Sequence, residues 1–513
     1  MITAKKIEFG DFQTPMELSQ AITTFLGESG VAPDIIVEPT CGRGSFVVAS
    51  RNTFPTVRRI YGFDISSEYV KELKEALGNE NGHICHIERK NFFEVDWAEF
   101  FQSLGENLLV VGNPPWVTNS ALGVLQSDNL PEKTNFQRRN GFAAKTGKAN
   151  FDISEWMLIK LLEALNHKQA CLAMLCKTST ARKTLRHAWL NRLNIGRPSL
   201  HFLDAKKYFG VSVDACLLLI HTGIVELTPT ASIYPDLSFA NRISTIGLAG
   251  RELVADIDEY LRLRDIDGIA YYTWRSGVKH DAASVMELKR QRAGFVNGLG
   301  EECTFEATYI FPLLKSSDIA NARLVPQRYV LLTQRRTSDD TEQIRDIAPR
   351  TWQYLLKHAG LLDRRRSIIY KKRPRFAVFG IGEYTFSPWK VAISGLYKNC
   401  RFEVIGKFQG KPVVFDDTCY FISCKSEAEA RFACDLLNSD LCQRFLHSLV
   451  FFDAKRPITI DILNRIDLKR LAEKLNKTKE AQEYLRYARA FEDEQPLLVF
   501  EKKKTYRATK IRS

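Results

Sequence analysis

The chain has 513 residues, more than one hydrophobic core usually serves, so two domains are expected. Its 45% hydrophobic and 26% charged content leaves no place for a fibrous repeat, a disordered chain or a membrane protein, while a formal net charge of +13 asks for a polyanionic partner. Eleven cysteines without a Cys-x-x-Cys pair argue against a disulfide framework and a zinc knuckle. No run has the apolar length of a signal peptide or membrane span, so a cytoplasmic location is expected.

From about residue 35 to 220, short β-branched runs alternate with amphipathic stretches, which predicts a doubly wound α/β sheet. Strands are predicted at 35–37, 59–63, 108–111, 170–175 and 216–220, with helices between them such as 66–77 and 153–165. The first strand runs into Glu38, then Cys41-Gly42-Arg43-Gly44, then a helix start, which is the first crossover of a nucleotide-binding sheet. The spacing fits neither G-x-G-x-x-G nor a P-loop, and Glu38 would repel a pyrophosphate. Positively charged S-adenosylmethionine suits Glu38, Cys41 and Gly42 better. The second strand ends at Asp64, whose carboxylate can accept from both ribose hydroxyls. His83-Ile84-Cys85-His86 offers metal-ligand types, but strand alternation would point neighbours to opposite faces, and no metal is expected. Asn91 then offers an amide to the adenine edge of the cofactor and Phe92 an aromatic face, with one of Phe92 and Phe93 serving as core.

Directly after the strand at 108–111 comes Gly112-Asn113-Pro114-Pro115-Trp116, at the carboxyl end of a buried strand, where open α/β sheets place their sites. The prolines fix the backbone and remove N–H donors, leaving carbonyls as acceptors. An aromatic amine is a poor nucleophile because its lone pair is delocalised into the ring. Two acceptors on its hydrogens, the Asn113 side-chain oxygen and the Pro114 carbonyl, favour a pyramidal nitrogen whose lone pair can attack a methyl group in line. Trp116 has the flat face needed to hold a base taken out of the duplex.

These segments resemble the amino-methyltransferases of DNA restriction and modification, in the arrangement where the catalytic region precedes target recognition. Phe12-Gln13-Thr14-Pro15 resembles the group's F-x-T-P element, whose threonine helps cover the methionine part of the cofactor. Glu38 to Gly44, Asp64, Asn91-Phe92 and Asn113 to Trp116 follow in the family's order. Phe151-Asp152-Ile153-Ser154 resembles the next element, and residues 208–216 the loop into a terminal hairpin strand, which makes Phe209 the second candidate for stacking on the flipped base. The resemblance is close over about the first 225 residues. Two departures stand out: Asn91 replaces a common carboxylate, and Cys41 and Arg43 make the glycine turn bulky. Asn113, where enzymes acting on cytosine amines usually have serine, favours adenine.

The resemblance implies a Rossmann-like catalytic domain at 1–235 with a terminal antiparallel hairpin strand, and a mixed α+β DNA-recognition domain at 236–513. Past residue 222 the alternation is lost. Arg364-Arg365-Arg366, Lys371-Lys372-Arg373 and Arg375, interleaved with Tyr370 and Phe376, are candidates to line a DNA cleft. Segments 309–318 and 380–389 resemble architectural elements of recognition domains. Residues 275–281 read as a polar loop at the cleft or a plain hairpin, 426–450 as one amphipathic helix, and the basic tail from 501 as a mobile end. The expected activity is methylation of the exocyclic amine of adenine in double-stranded DNA by a monomer, beside a separate restriction endonuclease. Methylation of a cytosine amine, of RNA or of a protein glutamine, and a non-catalytic specificity subunit, are the alternatives.

Overall fold

The computed structural model describes residues 13–78, 84–105, 107–117, 152–224, 228–292, 294–371 and 373–485. Phe12, His83, Phe151, Lys372 and the tail from 501 lie outside the described residues. The chain divides into two compact units, Met1–Leu261 and Arg262–Ser513.

The first unit is built on a ten-stranded sheet. Five parallel strands lie in the order β3-β2-β1-β4-β5: β1 (Ile35–Glu38), β2 (Arg59–Asp64), β3 (Cys85–Arg89), β4 (Leu108–Gly112) and β5 (Ala170–Lys177). Next to β5 comes β7 (Ala215–Thr222), antiparallel both to it and to β6 (Ile195–Leu203). Three more strands, β8 (Thr230–Tyr234), β9 (Ser244–Ala249) and β10 (Glu252–Val254), extend the edge beyond β6. This is the doubly wound sheet with a terminal antiparallel hairpin strand that the resemblance implies. The chain leaves β1 for β2 and β3 and returns as β4 on the other side of β1, so the order reverses between β1 and β4. Ligands of open α/β sheets bind at such a switch point, outside the carboxyl ends of the strands.

Burial explains the apolar runs. Every residue of β1 and β4, and all but the last of β5, is buried, because helices cover both faces. In chain order these helices are α1 (Met16–Glu28), α2 (Ser45–Thr53), α3 (Ser67–Leu77), α4 (Trp97–Ser103), α5 (Ile153–Ala164), α6 (Thr178–Leu190) and α7 (Ala205–Phe209). Caps set the starts of two of them: Ser66 Oγ accepts from Tyr69 N at 3.3 Å, and Asp152 Oδ1 from Ser154 N at 3.2 Å. Cys85 is buried in β3, and His86 stacks on Tyr61 at 5.2 Å.

The second unit is mixed α+β. Its six-stranded sheet has the order β14-β13-β12-β16-β15-β21 and its four-stranded sheet the order β11-β22-β17-β18. The strands are β11 (Arg275–Ser276), β12 (Glu287–Gln291), β13 (Gly294–Asn297), β14 (Glu302–Cys303), β15 (Ile310–Leu314), β16 (Arg328–Leu331), β17 (Trp389–Ser394) and β18 (Glu403–Ile405). A small hairpin of β19 (Lys407–Phe408) and β20 (Lys411–Pro412) precedes β21 (Val414–Phe415) and β22 (Cys419–Cys424).

Two sequence expectations are corrected here. Residues 275–281 are neither an exposed loop nor a hairpin: β11 pairs with β22, Val278 bridges Asp416 and Lys279 bridges Phe379. The backbone passes so close that a Cβ on Gly277 would lie 2.1 Å from Asp416 O, so only glycine fits. Residues 426–450 form two helices, Glu427–Leu437 and Asp440–Leu449, because Ser439 Oγ accepts from Cys442 N at 3.4 Å and starts a new helix. No helix among the described residues is long and apolar enough to cross a membrane.

Candidate active site

The glycine turn after β1 is fixed from three sides. Cys41 N donates to Phe63 O at 2.7 Å, Gly42 N to Asp64 Oδ2 at 2.8 Å, and Arg43 N to Gln13 Oε1 at 3.0 Å. Gly42 and Gly44 have φ of +50° and +82°, a region that disfavours side chains. A Cβ on Gly44 would lie 2.2 Å from Leu73 Cδ1, and one on Gly42 2.6 Å from Gln13 Oε1, so the turn carries bare backbone at the strand tips.

Two carboxylates sit beside it. Glu38 is 3% exposed, and its Oε2 accepts from Val47 N at 3.1 Å. Burial, with the charge of Asp64 adding to it, holds its carboxyl well above the usual carboxylate range, although the bond from Val47 pulls the other way. Burial and both carboxylates also push the Cys41 thiol up. Two carboxyl groups and a thiol thus share the floor of the site, where burial opposes charge and a cation bound beside Glu38 would favour its ionised form. Asp64 accepts from Ser66 N through Oδ1 at 2.8 Å as well as from Gly42 through Oδ2, so both oxygens are held at the strand tip.

Across the switch point, β4 delivers the proline turn. Asn113 Nδ2 donates to Thr14 Oγ1 at 3.3 Å, which fixes the amide and aims Oδ1 away from Thr14, and Thr40 Oγ1 donates to Asn113 O at 3.5 Å. Thr14 is itself tied to the glycine turn, since its carbonyl accepts from Ser45 Oγ at 2.7 Å. Thus Thr14, Glu38, Cys41, Gly42, Asp64 and Asn113 come together around the tips of β1, β2 and β4. Pro114 is buried and Pro115 half-buried.

Trp116 is 6% exposed and meets Phe209 edge to face, with ring centroids 5.1 Å apart at 63°. A base sandwiched between two rings needs about 7 Å, two contact distances, so the pair is closed as it stands. Asn91 caps its own turn: Oδ1 accepts from Phe93 N at 3.1 Å and Nδ2 donates to Glu94 Oε1 at 3.2 Å. Phe92 is 5% exposed in an aromatic cluster, 4.9 Å from Trp97, and Phe93 is the more open ring. Sequence reasoning passed over Lys177 at the tip of β5, Gln13 and Thr40. For Gln13, inside the F-x-T-P element, and Thr40, just past the first strand tip, position was the available signal.

Residues 2–196 match the N-6 DNA Methylase family. Over 469 residues, 91% of this chain and 98% of the relative, the sequence is 46% identical to the type II methyltransferase M.NspV of Nostoc sp.. The chain belongs to the adenine-N6 DNA methyltransferases of type II restriction-modification. M.CvrRI, a type II methyltransferase of Paramecium bursaria Chlorella virus XZ-6E, is 31% identical over 109 residues, 21% of this chain and 25% of its own. Among solved structures, the type IIL restriction-modification enzyme MmeI in complex with DNA aligns with a TM-score of 0.53 at 12% identity, a likeness of fold. The alignment covers 90% of the methyltransferase but only 66% of MmeI.

In the second unit of the methyltransferase the basic run divides by role. Arg365 is turned inward: Nε donates to Leu362 O at 2.8 Å, Nη1 to Ala377 O at 2.7 Å and His280 O at 3.2 Å, and the guanidinium lies 3.9 Å from the Tyr370 ring centroid. Arg375 pairs with Asp363 at 2.7 Å and lies over buried Phe376. Arg364, Arg366, Lys371 and Arg373 are exposed, and no ion pair holds any of them among the described residues.

Proposed function

We propose that this methyltransferase moves the methyl group of S-adenosylmethionine to the exocyclic amine of an adenine extruded from duplex DNA, and so protects DNA from a separate cognate endonuclease. What carries the reading is the juxtaposition at the switch point: a glycine cradle on β1 and β2, lined by the carboxyl groups of Glu38 and Asp64, faces a proline turn on β4 whose amide is oriented by Thr14.

The residues present fit the cofactor. Backbone without side chains at Gly42 and Gly44 admits close approach, Glu38 and Asp64 favour a cation, and the Asp64 carboxylate stands at the second strand tip, where ribose hydroxyls would donate to it. When bound, S-adenosylmethionine supplies an electrophilic methyl group on a sulfonium. Thr14 would cover its methionine part, Cys41 and Gly42 its turn side, and Asn91 and Phe92 its adenine. For the reaction, Asn113 Oδ1 and the Pro114 carbonyl each accept one hydrogen of the target amine and hold its lone pair out of the ring. Trp116 and Phe209 part to receive the base between them, exchanging a ring-ring contact for two base-ring contacts. The second unit reads the target sequence, with its exposed arginines and lysines on phosphates. One chain carries both functions, which suits a monomer acting in the cytoplasm.

The test is transfer of labelled methyl to duplex DNA by Asn113→Ala. Turnover should be lost, with a fall of at least about 100- to 1,000-fold, while DNA binding persists. Normal turnover by that variant refutes the assigned chemistry.

A further inference from the structure

Pro114 and Pro115 have no N–H, so the catalytic turn must be anchored through its carbonyl oxygens. Thr40 holds the carbonyl at its start, as described above. At its exit, Lys177 Nζ donates to Trp116 O at 3.2 Å. Lys177 ends β5, the strand beside β4, and its ammonium also donates to Asp152 Oδ2 at 2.5 Å, with the two side chains 22% and 9% exposed. Asp152 is fixed in turn, accepting from Ser154 Oγ at 2.5 Å and from Ser154 N. One residue on, Ile153 N donates to Val117 O at 2.9 Å, so the start of α5 clamps the chain just past Trp116.

A mostly buried ion pair is poor evidence of stability, because desolvation offsets its attraction. Its geometric effect is specific. The backbone of Trp116 is pinned by a charged donor at its carbonyl, apart from the ring contact that its indole makes with Phe209. We propose that Lys177, oriented by Asp152, is a positioning residue for methyl transfer. It fixes the Trp116 carbonyl so that the indole swings off Phe209 to receive a base without dragging the Asn113 and Pro114 acceptors out of line. The inference rests on the reading of this turn as the one that holds the target base.

The full-length protein with Lys177→Met, Lys177→Arg or Asp152→Asn is compared with wild type on duplex DNA carrying its mapped methylation site. Lys177→Met should lower kcat about 100-fold, with dissociation constants for DNA and S-adenosylmethionine changed less than about threefold. Lys177→Arg should restore most of kcat, Asp152→Asn should reproduce the loss, and 2-aminopurine at the target position should show weaker capture in both defective variants. Unchanged kcat, no rescue by arginine, or a parallel fall of kcat, both affinities and the melting temperature overturns the proposal. If Lys177→Met does not fold, the Asp152→Asn and Lys177→Arg pair decides on the same criteria. Asn113→Ala run alongside separates the two claims: turnover by that variant removes the underlying reading, whereas an inactive Asn113→Ala beside a fully active Lys177→Met removes this inference alone.

Discussion

Alanine at Gly44 should cost more than alanine at Gly42, although the two glycines share one turn and both have positive φ. An L-residue in the left-handed region costs about 1–2 kcal/mol at either site. At Gly42 the new Cβ meets the far end of the Gln13 side chain at 2.6 Å, which can swing away and give up its bond from Arg43 N, worth about 0.5–1.5 kcal/mol. At Gly44 it lies 2.2 Å from Leu73 Cδ1 and 2.6 Å from Cδ2, and Leu73 is 1% exposed, so α3 or its packing must shift. Overpacking of that kind costs about 1–3 kcal/mol more. The expected losses are about 1.5–3.5 kcal/mol for Gly42→Ala and about 2–5 kcal/mol for Gly44→Ala. Urea unfolding followed by circular dichroism measures both, and calorimetric titration with S-adenosylmethionine measures the cradle. Gly42→Ala should lose cofactor affinity out of proportion to its stability, because its amide orients Asp64. Equal destabilisation of the two variants, or a Gly44→Ala protein within 1 kcal/mol of wild type, refutes the reasoning.

Neighbouring arginines in the second unit should also part company. Arg366→Gln should leave unfolding unchanged and reduce the slope of log affinity against log salt by about 0.9 for one lost phosphate contact, whereas Arg365→Gln should destabilise the fold by exposing three carbonyls to loss of their donor. A salt slope unmoved by Arg366→Gln would take that residue off the DNA. Lys390 is fully buried and donates to Ser387 O at 2.7 Å and Val413 O at 2.9 Å, and burial lowers its pKa from 10.5 to about 7. The unfolded chain then binds a proton that the folded one does not between pH 7 and 10.5, so stability rises with pH across that window and is lowest below it. Lys390→Met should flatten this rise by up to about 1.4 kcal/mol per pH unit in denaturant titrations, and an unchanged slope would rule out a neutral buried lysine.

What could be read from the sequence follows how each strand is buried. The strands β1, β4, β5 and β7 lie between helices and read as continuous apolar runs, so their carboxyl tips, and with them Glu38 and Asn113, could be placed without a structure. An edge position leaves the last two residues of β3 exposed, and β6 carries Pro198 and a register shift between Gly196 and Ser199, so neither has a clean period. The split of 426–450 into two helices was written locally, in Asn438-Ser439, but the apolar stripe runs across both segments and outweighs one capping residue. Lys177 depends on partners 25 and 61 residues away, and nothing near it in sequence distinguishes it from a solvated lysine. Arg365 and Arg366 are adjacent and chemically identical, and only the fold decides that one holds carbonyls and the other faces water.

The proposed reaction asks one chain to hold a cation and attract a polyanion, two demands that oppose each other if charges are spread evenly. The distribution here resolves the conflict by depth. Glu38 is 3% exposed at the floor of the cradle, where burial raises its pKa and a cation bound beside it stabilises its charged form strongly and at short range. The unpaired basic groups of the second unit are exposed, where their field reaches phosphates but is screened over about 8–10 Å at ordinary ionic strength. A chain of net charge +13 can therefore keep a carboxyl-lined pocket for a cation. Raising salt should strip DNA from the protein long before it weakens S-adenosylmethionine, because only the first of these contacts is made by exchanging surface counterions. A cofactor affinity that fell with salt as steeply as DNA affinity would mean that Glu38 and Asp64 are not what holds it.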